Sequence, residues 1–287
     1  MKGVNRDVAR IIKPRPTIEG AGVRLKRAFP LPDLDYLDPF LLLDHFGSEN
    51  PEDYLAGFPL HPHRGIETVT YVLAGVVRHE DTLGNAGVIG AGDVQWMTSG
   101  RGIMHEEMPG PVGGRMMGFQ LWVNLPARLK MTSPGYQEIP SHIIPLVTRE
   151  SSSVRVIAGE LEGVVGPVKG IAANPLYLDI SMPEGASYSQ PIQRDHTAFA
   201  YVFEGEADFA GPSGHPGTRV SSPALVVLGD GDFLSVRAHS GPARLILVAG
   251  KPLHEPIARY GPFVMNTREE ILQALEDLRT GRFVVPG

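Results

Sequence analysis

Cysteine is absent from the 287-residue chain, which excludes disulfides, thiolate metal sites and a cysteine nucleophile. An excess of positive charge is missing too. Lys and Arg total 26 against 32 Asp and Glu, the formal net charge is −6 and the pI is about 5.9. A protein that neutralises phosphates carries a basic patch, and no dense run of Lys or Arg occurs, so direct nucleic-acid contact is not expected. Long apolar runs are also lacking. The N-terminal MKGVNRDVAR has no apolar core of a signal peptide. The longest apolar run near it, Phe40 to Leu43, is far too short to cross a bilayer. The expectation is a cytoplasmic protein without membrane contact.

What the chain does have in quantity is glycine and proline. The 34 Gly and 26 Pro make up about a fifth of the residues, against roughly 12% in average usage. They are spread along the chain, as expected when many turns join many short strands. Residues 67–73 (ETVTYVL) and 118–123 (GFQLWV) are rich in β-branched and aromatic residues, which suits strands. The fold class expected is all-β.

A faint repeat runs through the sequence. Residues 67–75 (ETVTYVLAG) align with 197–205 (TAFAYVFEG), 90–93 (GAGD) with 229–232 (GDGD), and the apolar runs 117–123 with 244–248. A spacing of about 130 residues indicates two similar domains, since a solenoid has a much shorter period. One helix stands out near the C-terminus. Thr267 followed by Glu270 makes a capping box, Ile271, Leu272, Leu275 and Leu278 form an apolar stripe, and Gly281 ends it. Its expected task is to cover a sheet edge or face.

Two short motifs carry chemistry. In His61-Pro62-His63, residues i and i+2 of an extended chain point the same way, about 6.6 Å apart, so two imidazoles can share one ion. Pro62 has no N–H to donate, which places the segment at a strand start or an edge. His105 and Glu107 repeat the i, i+2 spacing, with Glu106 facing the other way. Two such pairs on neighbouring strands would bring three imidazoles and one carboxylate to a point. His45, His79, His142, His196, His215, His239 and His254 lack a partner at that spacing. They read as surface or hydrogen-bonded residues, and His45, beside Asp44, is kept as a group that could support the site.

Together with their surroundings these motifs closely resemble the pirin family of bicupins. The resemblance rests on residues 38–44 (DPFLLLD), 61–69 (HPHRGIETV), 92–109 (GDVQWMTSGRGIMHEEMP), 120–125 (QLWVNL) and 261–267 (GPFVMNT), and so covers nearly the whole chain. It implies two stacked jelly-roll β-barrels with a C-terminal helix: residues 1–135 as a metal-binding cupin, and 136–287 as a cupin without metal ligands plus the helix. It implies His61, His63, His105 and Glu107 as the metal ligands. In many other cupins the carboxylate sits where Glu67 is here, so Glu67 is the alternative to Glu107 or a hydrogen-bond acceptor beside the site.

Imidazole-rich sites suit Fe, Zn, Cu or Ni, and the family points to Fe(II). The activity implied is a dioxygenase that opens flavonols such as quercetin with O2, with Glu107 as general base. Two other readings stay open: a redox-sensing regulator that binds a protein partner, and a zinc-dependent isomerase or hydrolase. Met97, Met104, Met108, Met116 and Met117, with Trp96, Phe119 and Trp122, cluster in sequence around the second motif. Barrel packing is the default explanation for them, with an apolar pocket wall as the alternative. Arg64 and Arg101 could steer an anionic substrate or pair with carboxylates such as Asp93 or Glu106.

Overall fold

A computed structural model describes residues 3–149, 152–211 and 217–284; His215 lies outside the described residues. The chain forms two compact units. One comprises Arg15–Ser141 with Leu253–Gly287, and the other Met1–Pro14 with His142–Pro252. This differs from a division at residue 135, because each end of the chain belongs with the half more distant in sequence. The reason is hydrogen bonding. Strand β1 (Val8–Ile12) pairs antiparallel with β22 (Ala224–Leu228) and covers the backbone edge of that strand.

In the first unit, a seven-stranded sheet holds β2 (Arg15–Glu19), β3 (Val23–Phe29), β4 (Phe40–Ser48), β6 (Ile66–Ala74), β9 (Val94–Thr98), β11 (Met116–Asn124) and β12 (Gly135–Ile139), in the order β12-β9-β6-β11-β4-β3-β2. A four-stranded sheet holds β5 (Phe58–His63), β7 (Val76–Asp81), β8 (Ala86–Ile89) and β10 (Ile103–Gly110), in the order β5-β10-β7-β8. Val23, Leu25, Phe46, Val72 and Met116 from the large sheet pack on Val77 and Ile89 from the small one.

The second unit repeats this plan. Its large sheet holds β13 (Leu146–Arg149), β14 (Ser152–Ala158), β17 (Leu176–Met182), β19 (Thr197–Glu204), β22 and β24 (Ala243–Gly250), closed by β1; the short hairpin β15 (Glu160–Leu161) and β16 (Val164–Val165) stands apart. The small sheet holds β18 (Ser187–Pro191), β20 (Glu206–Phe209), β21 (Thr218–Ser221) and β23 (Phe233–Ala238). The order β13-β14-β17-β24-β19-β22-β1 matches the first large sheet strand for strand. Alternate residues such as Leu178, Ile180 and Met182, or Ala198, Ala200 and Val202, enter the core, the period of two expected of strands with one face inward.

The all-β expectation holds, with two corrections. The two sheets of each unit keep separate hydrogen-bond ladders, so each is a two-sheet jelly roll and not a closed barrel. The repeat is real, yet one of its three sequence matches is not equivalent. Residues 90–93 lead into β9 of a large sheet, whereas 229–232 lead into β23 of a small one. The likeness is of sequence alone: Asp93 closes its own turn, accepting from the Gly90 N–H at 2.8 Å, whereas Asp232 accepts from the distant Val4 N–H at 2.8 Å. An Asp after Gly suits many turns.

The last segment forms β25 (Ala258–Tyr260), β26 (Phe263–Met265) and helix α1 (Arg268–Arg279). Thr267 caps the helix and the Glu270 side chain returns the bond, so the capping box is complete. Ile271, Ala274, Leu275 and Leu278 pack with Phe263, Met265 and Phe283. Leu272, expected on that stripe, is exposed; Ala274 takes its place at the i+3 position from Ile271. Among the described residues no helix is long and apolar enough to cross a membrane.

Candidate metal centre

Strand β5 lies at the edge of its sheet, where the missing N–H of Pro62 costs nothing. Among the described residues its ladder partner is β10, in a register that sets His61 opposite His105 and His63 opposite Ile103. A bulge between His105 and Glu107 then brings Glu107 opposite Phe58. The three imidazoles meet as the spacing predicts. One nitrogen from each of His61, His63 and His105 lies within 4.8 Å of the others, and the ring centroids are 4.3 to 5.1 Å apart.

The electrostatics favour neutral rings. Burial pushes His63 down to about 3, with the neighbouring His61 adding to the shift. His105 is held well below its ordinary value by burial, then by His63, His61 and His79. Neutral imidazole is the form that binds a metal. Moreover, His63 Nδ1 and His105 Nε2 are buried without any hydrogen-bond partner, which costs about 1–3 kcal/mol each. A cation among the three rings would satisfy both, so the donor set fits a transition metal. The His61 ring is oriented by the Pro59 carbonyl, 3.0 Å from its Nδ1.

Glu107 is buried and, with His61 and His63, lines a cavity of about 580 Å³. Its Oε1 accepts from the Thr70 hydroxyl at 2.9 Å, and the same hydroxyl lies 2.8 Å from the Gln120 side-chain oxygen. One hydroxyl proton serves one acceptor. Turning the Gln120 amide lets its NH2 donate to Thr70 while Thr70 donates to Glu107. Glu107 is not one of the groups within 4.8 Å of one another; it stands beside the histidine cluster on the cavity wall.

Glu67 goes elsewhere. Its carboxylate accepts from Thr98 at 3.0 Å, burial raises it to about 7 against that hydrogen bond, and it does not line the cavity. Counting residues from His63 fails because Gly65, at φ +80°, turns the chain from one sheet into the other. His45 faces away as well. It packs on Phe119 with centroids 4.9 Å apart, while Asp44 lines the cavity and holds Arg27 through two bonds of 2.8 and 2.7 Å.

The neighbouring arginines do not face the cavity. Arg64 pairs with Asp277 at 2.8 Å and lies over the Phe283 ring, and Arg101 bonds Ser133. Asp93 is used by backbone N–H groups of Gly90 and Ser141. Of the methionine and aromatic cluster, only Met116 and Trp122 line the cavity; Met104, for example, packs beside helix α1. Ordinary packing accounts for most of that cluster.

Two groups escaped the sequence reading, one on the cavity wall and one beside His105. Arg259 comes from the C-terminal segment and lies 5.1 Å over the Trp122 ring; nothing local marks it. His79 is buried, with its Nδ1 3.5 Å from His105 Nδ1. A signal for it existed, since His79 and Asp81 have the same i, i+2 spacing as the ligand pairs.

Family models extend the comparison to known proteins. The model described as Pirin matches residues 22–123, and that described as Pirin C-terminal cupin domain matches residues 177–284. A pirin-like protein of Caulobacter vibrioides is 48% identical over 280 residues, 97% of this chain and 99% of that one. Pirin of Homo sapiens is 42% identical over 286 residues, 98% and 94% of the two chains. A crystal structure of quercetin 2,3-dioxygenase from Acinetobacter baumannii, 33% identical, superposes with a TM-score of 0.88 over 97% of this chain and 98% of that one. Matched in both halves, and to relatives aligned along almost their entire length, the chain belongs to the pirin family.

Proposed function

We propose that this pirin is a cytoplasmic flavonol 2,3-dioxygenase acting on quercetin-like substrates with O2, and that His61, His63, His105 and Glu107 hold its Fe(II). The observation that carries this reading is the group of three converging imidazoles, two of them with orphaned buried nitrogens, at a largely apolar cavity. The similarity to a quercetin 2,3-dioxygenase structure supports the substrate class. When bound, the iron supplies positive charge that acidifies a coordinated hydroxyl and a one-electron couple for work with O2.

The protein's own groups do the rest. Phe46, Phe58 and Trp122 present apolar surface to a flat ring system and exclude water from it. Glu107 takes the proton of the substrate hydroxyl as general base, and the Thr70 hydroxyl holds that carboxylate in place. The expected products are the ring-opened ester and carbon monoxide.

The test is anaerobic reconstitution with Fe(II), followed by exposure to quercetin in air. Loss of flavonol absorbance with stoichiometric carbon monoxide, abolished in H105A, is the expected result. Iron-loaded protein that leaves quercetin intact rejects the activity. Redox-dependent capture of a protein partner would then favour a regulatory role, and stoichiometric native zinc with iron inert would favour an isomerase or hydrolase.

A further inference from the structure

Beside the candidate ligands lies a buried pair on the neighbouring strand. His79 and Asp81 lie on β7, with side chains wholly shielded from solvent. The β7–β10 register places Asp81 opposite His105 and His79 opposite Glu107. His105 Nδ1 is 3.5 Å from His79 Nδ1, and His79 Nε2 is 3.5 Å from Asp81 Oδ2. Tyr136 stacks on the His79 ring, with centroids 5.0 Å apart and planes 25° from parallel.

We propose that Asp81 and His79 form a tautomer lock that keeps the proton of His105 on Nδ1 and its Nε2 lone pair free for the metal. This rests on the metal-centre reading. Two neutral imidazoles that meet through their Nδ1 atoms need one proton between them, and a third group must decide which ring carries it. Asp81 decides. Its Oδ1 accepts the N–H groups of Leu83 and Asn85 at 2.9 and 3.0 Å, and its Oδ2 accepts the Asn85 side-chain amide at 2.8 Å. A carboxylate surrounded by donors is itself only an acceptor.

His79 therefore donates from Nε2 to Asp81, which leaves its Nδ1 as a lone pair. That lone pair accepts the Nδ1–H of His105. The remaining nitrogen of His105, Nε2, is the one buried without a partner, as the lock requires. No change of net charge is involved, because the lock concerns only which nitrogen of each ring carries its proton. The two separations, 3.5 Å each, are long for hydrogen bonds, and the exclusion of water from both side chains of the pair strengthens the preference they impose.

The substitution D81N tests the direction of the lock. If the new amide keeps its oxygen on the Leu83 and Asn85 N–H groups, its NH2 faces His79 Nε2. His79 then carries its proton on Nδ1, donates to His105 Nδ1, and drives the His105 proton to Nε2, where it blocks the metal. Nitrogen-15 NMR of the metal-free protein should show His105 as the Nδ1–H tautomer in the wild type and as Nε2–H in D81N. Zn(II), used as a redox-silent probe, should bind D81N about 10- to 100-fold more weakly. H79N restores an acceptor oxygen near the position of Nδ1 and should bind Zn(II) more tightly than H79L.

Nε2–H in wild-type His105 overturns the lock, and so does Zn(II) affinity that D81N leaves unchanged. Wild-type protein that takes up no Zn(II) or Fe(II) overturns the metal centre itself, and the lock with it.

Discussion

Thr70 and Glu107 belong to different sheets of the first unit and meet at the cavity wall through a 2.9 Å hydrogen bond. Thr70→Val keeps the shape of the side chain and removes the donor. A buried carboxylate oxygen then loses its partner, at a cost of about 1–3 kcal/mol. Urea unfolding should register that loss, and affinity for an added divalent metal should weaken by a few-fold. Unchanged values for both would show that Thr70 does not hold Glu107.

Arg64 follows directly after His63 and reaches Asp277 on helix α1 at 2.8 Å, with only 3% of its side chain exposed. Breaking a buried pair from one side leaves a buried charge behind, at a cost of about 3–5 kcal/mol. Asp277→Asn should lower stability toward that range in equilibrium denaturation. Because the loosened residue adjoins His63 of the candidate metal centre, release of an added metal should also quicken, as read by a chelator competition assay.

Glu67 makes a pH prediction with a definite sign. Its carboxyl is raised from 4.5 to about 7 by burial, so between those values the native state holds a proton that the unfolded chain has lost. Stability therefore falls as pH rises from about 4.5 to 7 and carries a constant penalty above 7, on the order of 3 kcal/mol. Asp44, raised from 3.8 to about 6 by burial against the Arg27 bonds, acts in the same direction at lower pH. The difference between the wild type and Glu67→Gln isolates the Glu67 share. Urea titrations at three pH values should show Glu67→Gln more stable at pH 8, with metal content retained. Loss of the metal would instead make Glu67 a ligand.

Lys130 is buried and donates to the carbonyls of Gly65 and Val264 and to the Asn124 side chain, at 2.8 to 2.9 Å. All three protons of the ammonium are used. Lys130→Met preserves the length of the side chain and orphans three acceptors, so a loss of about 2–5 kcal/mol is expected, measurable as a lowered urea midpoint. A near-neutral effect would mean that water enters to replace the ammonium.

Much of the site was legible because its chemistry is local. A period of two delivers His61 with His63 on one strand, and the same rule carries His105 to the facing one. The capping box of helix α1 was legible for the same reason, since Thr267 and Glu270 are three residues apart. Glu67 was ambiguous because a parity count presumes an unbroken strand, and Gly65 breaks it. Arg64 pairs with a carboxylate, one of the two roles open to it, but the partner was not legible because Asp277 is 213 residues away.

The order of residues alone determined which side chains can share a face, where strands and turns fall, and that the plan is used twice. Those properties depend on backbone geometry over a few residues. Only the folded chain decided which pairs of strands lie side by side, that β1 joins the large sheet of the second unit, and that Arg259 enters the cavity of the first. It likewise decided that His79, dismissed for want of a spaced partner, stands against His105. These outcomes depend on long-range burial and on the pairing of open sheet edges, and no short window of sequence contains either.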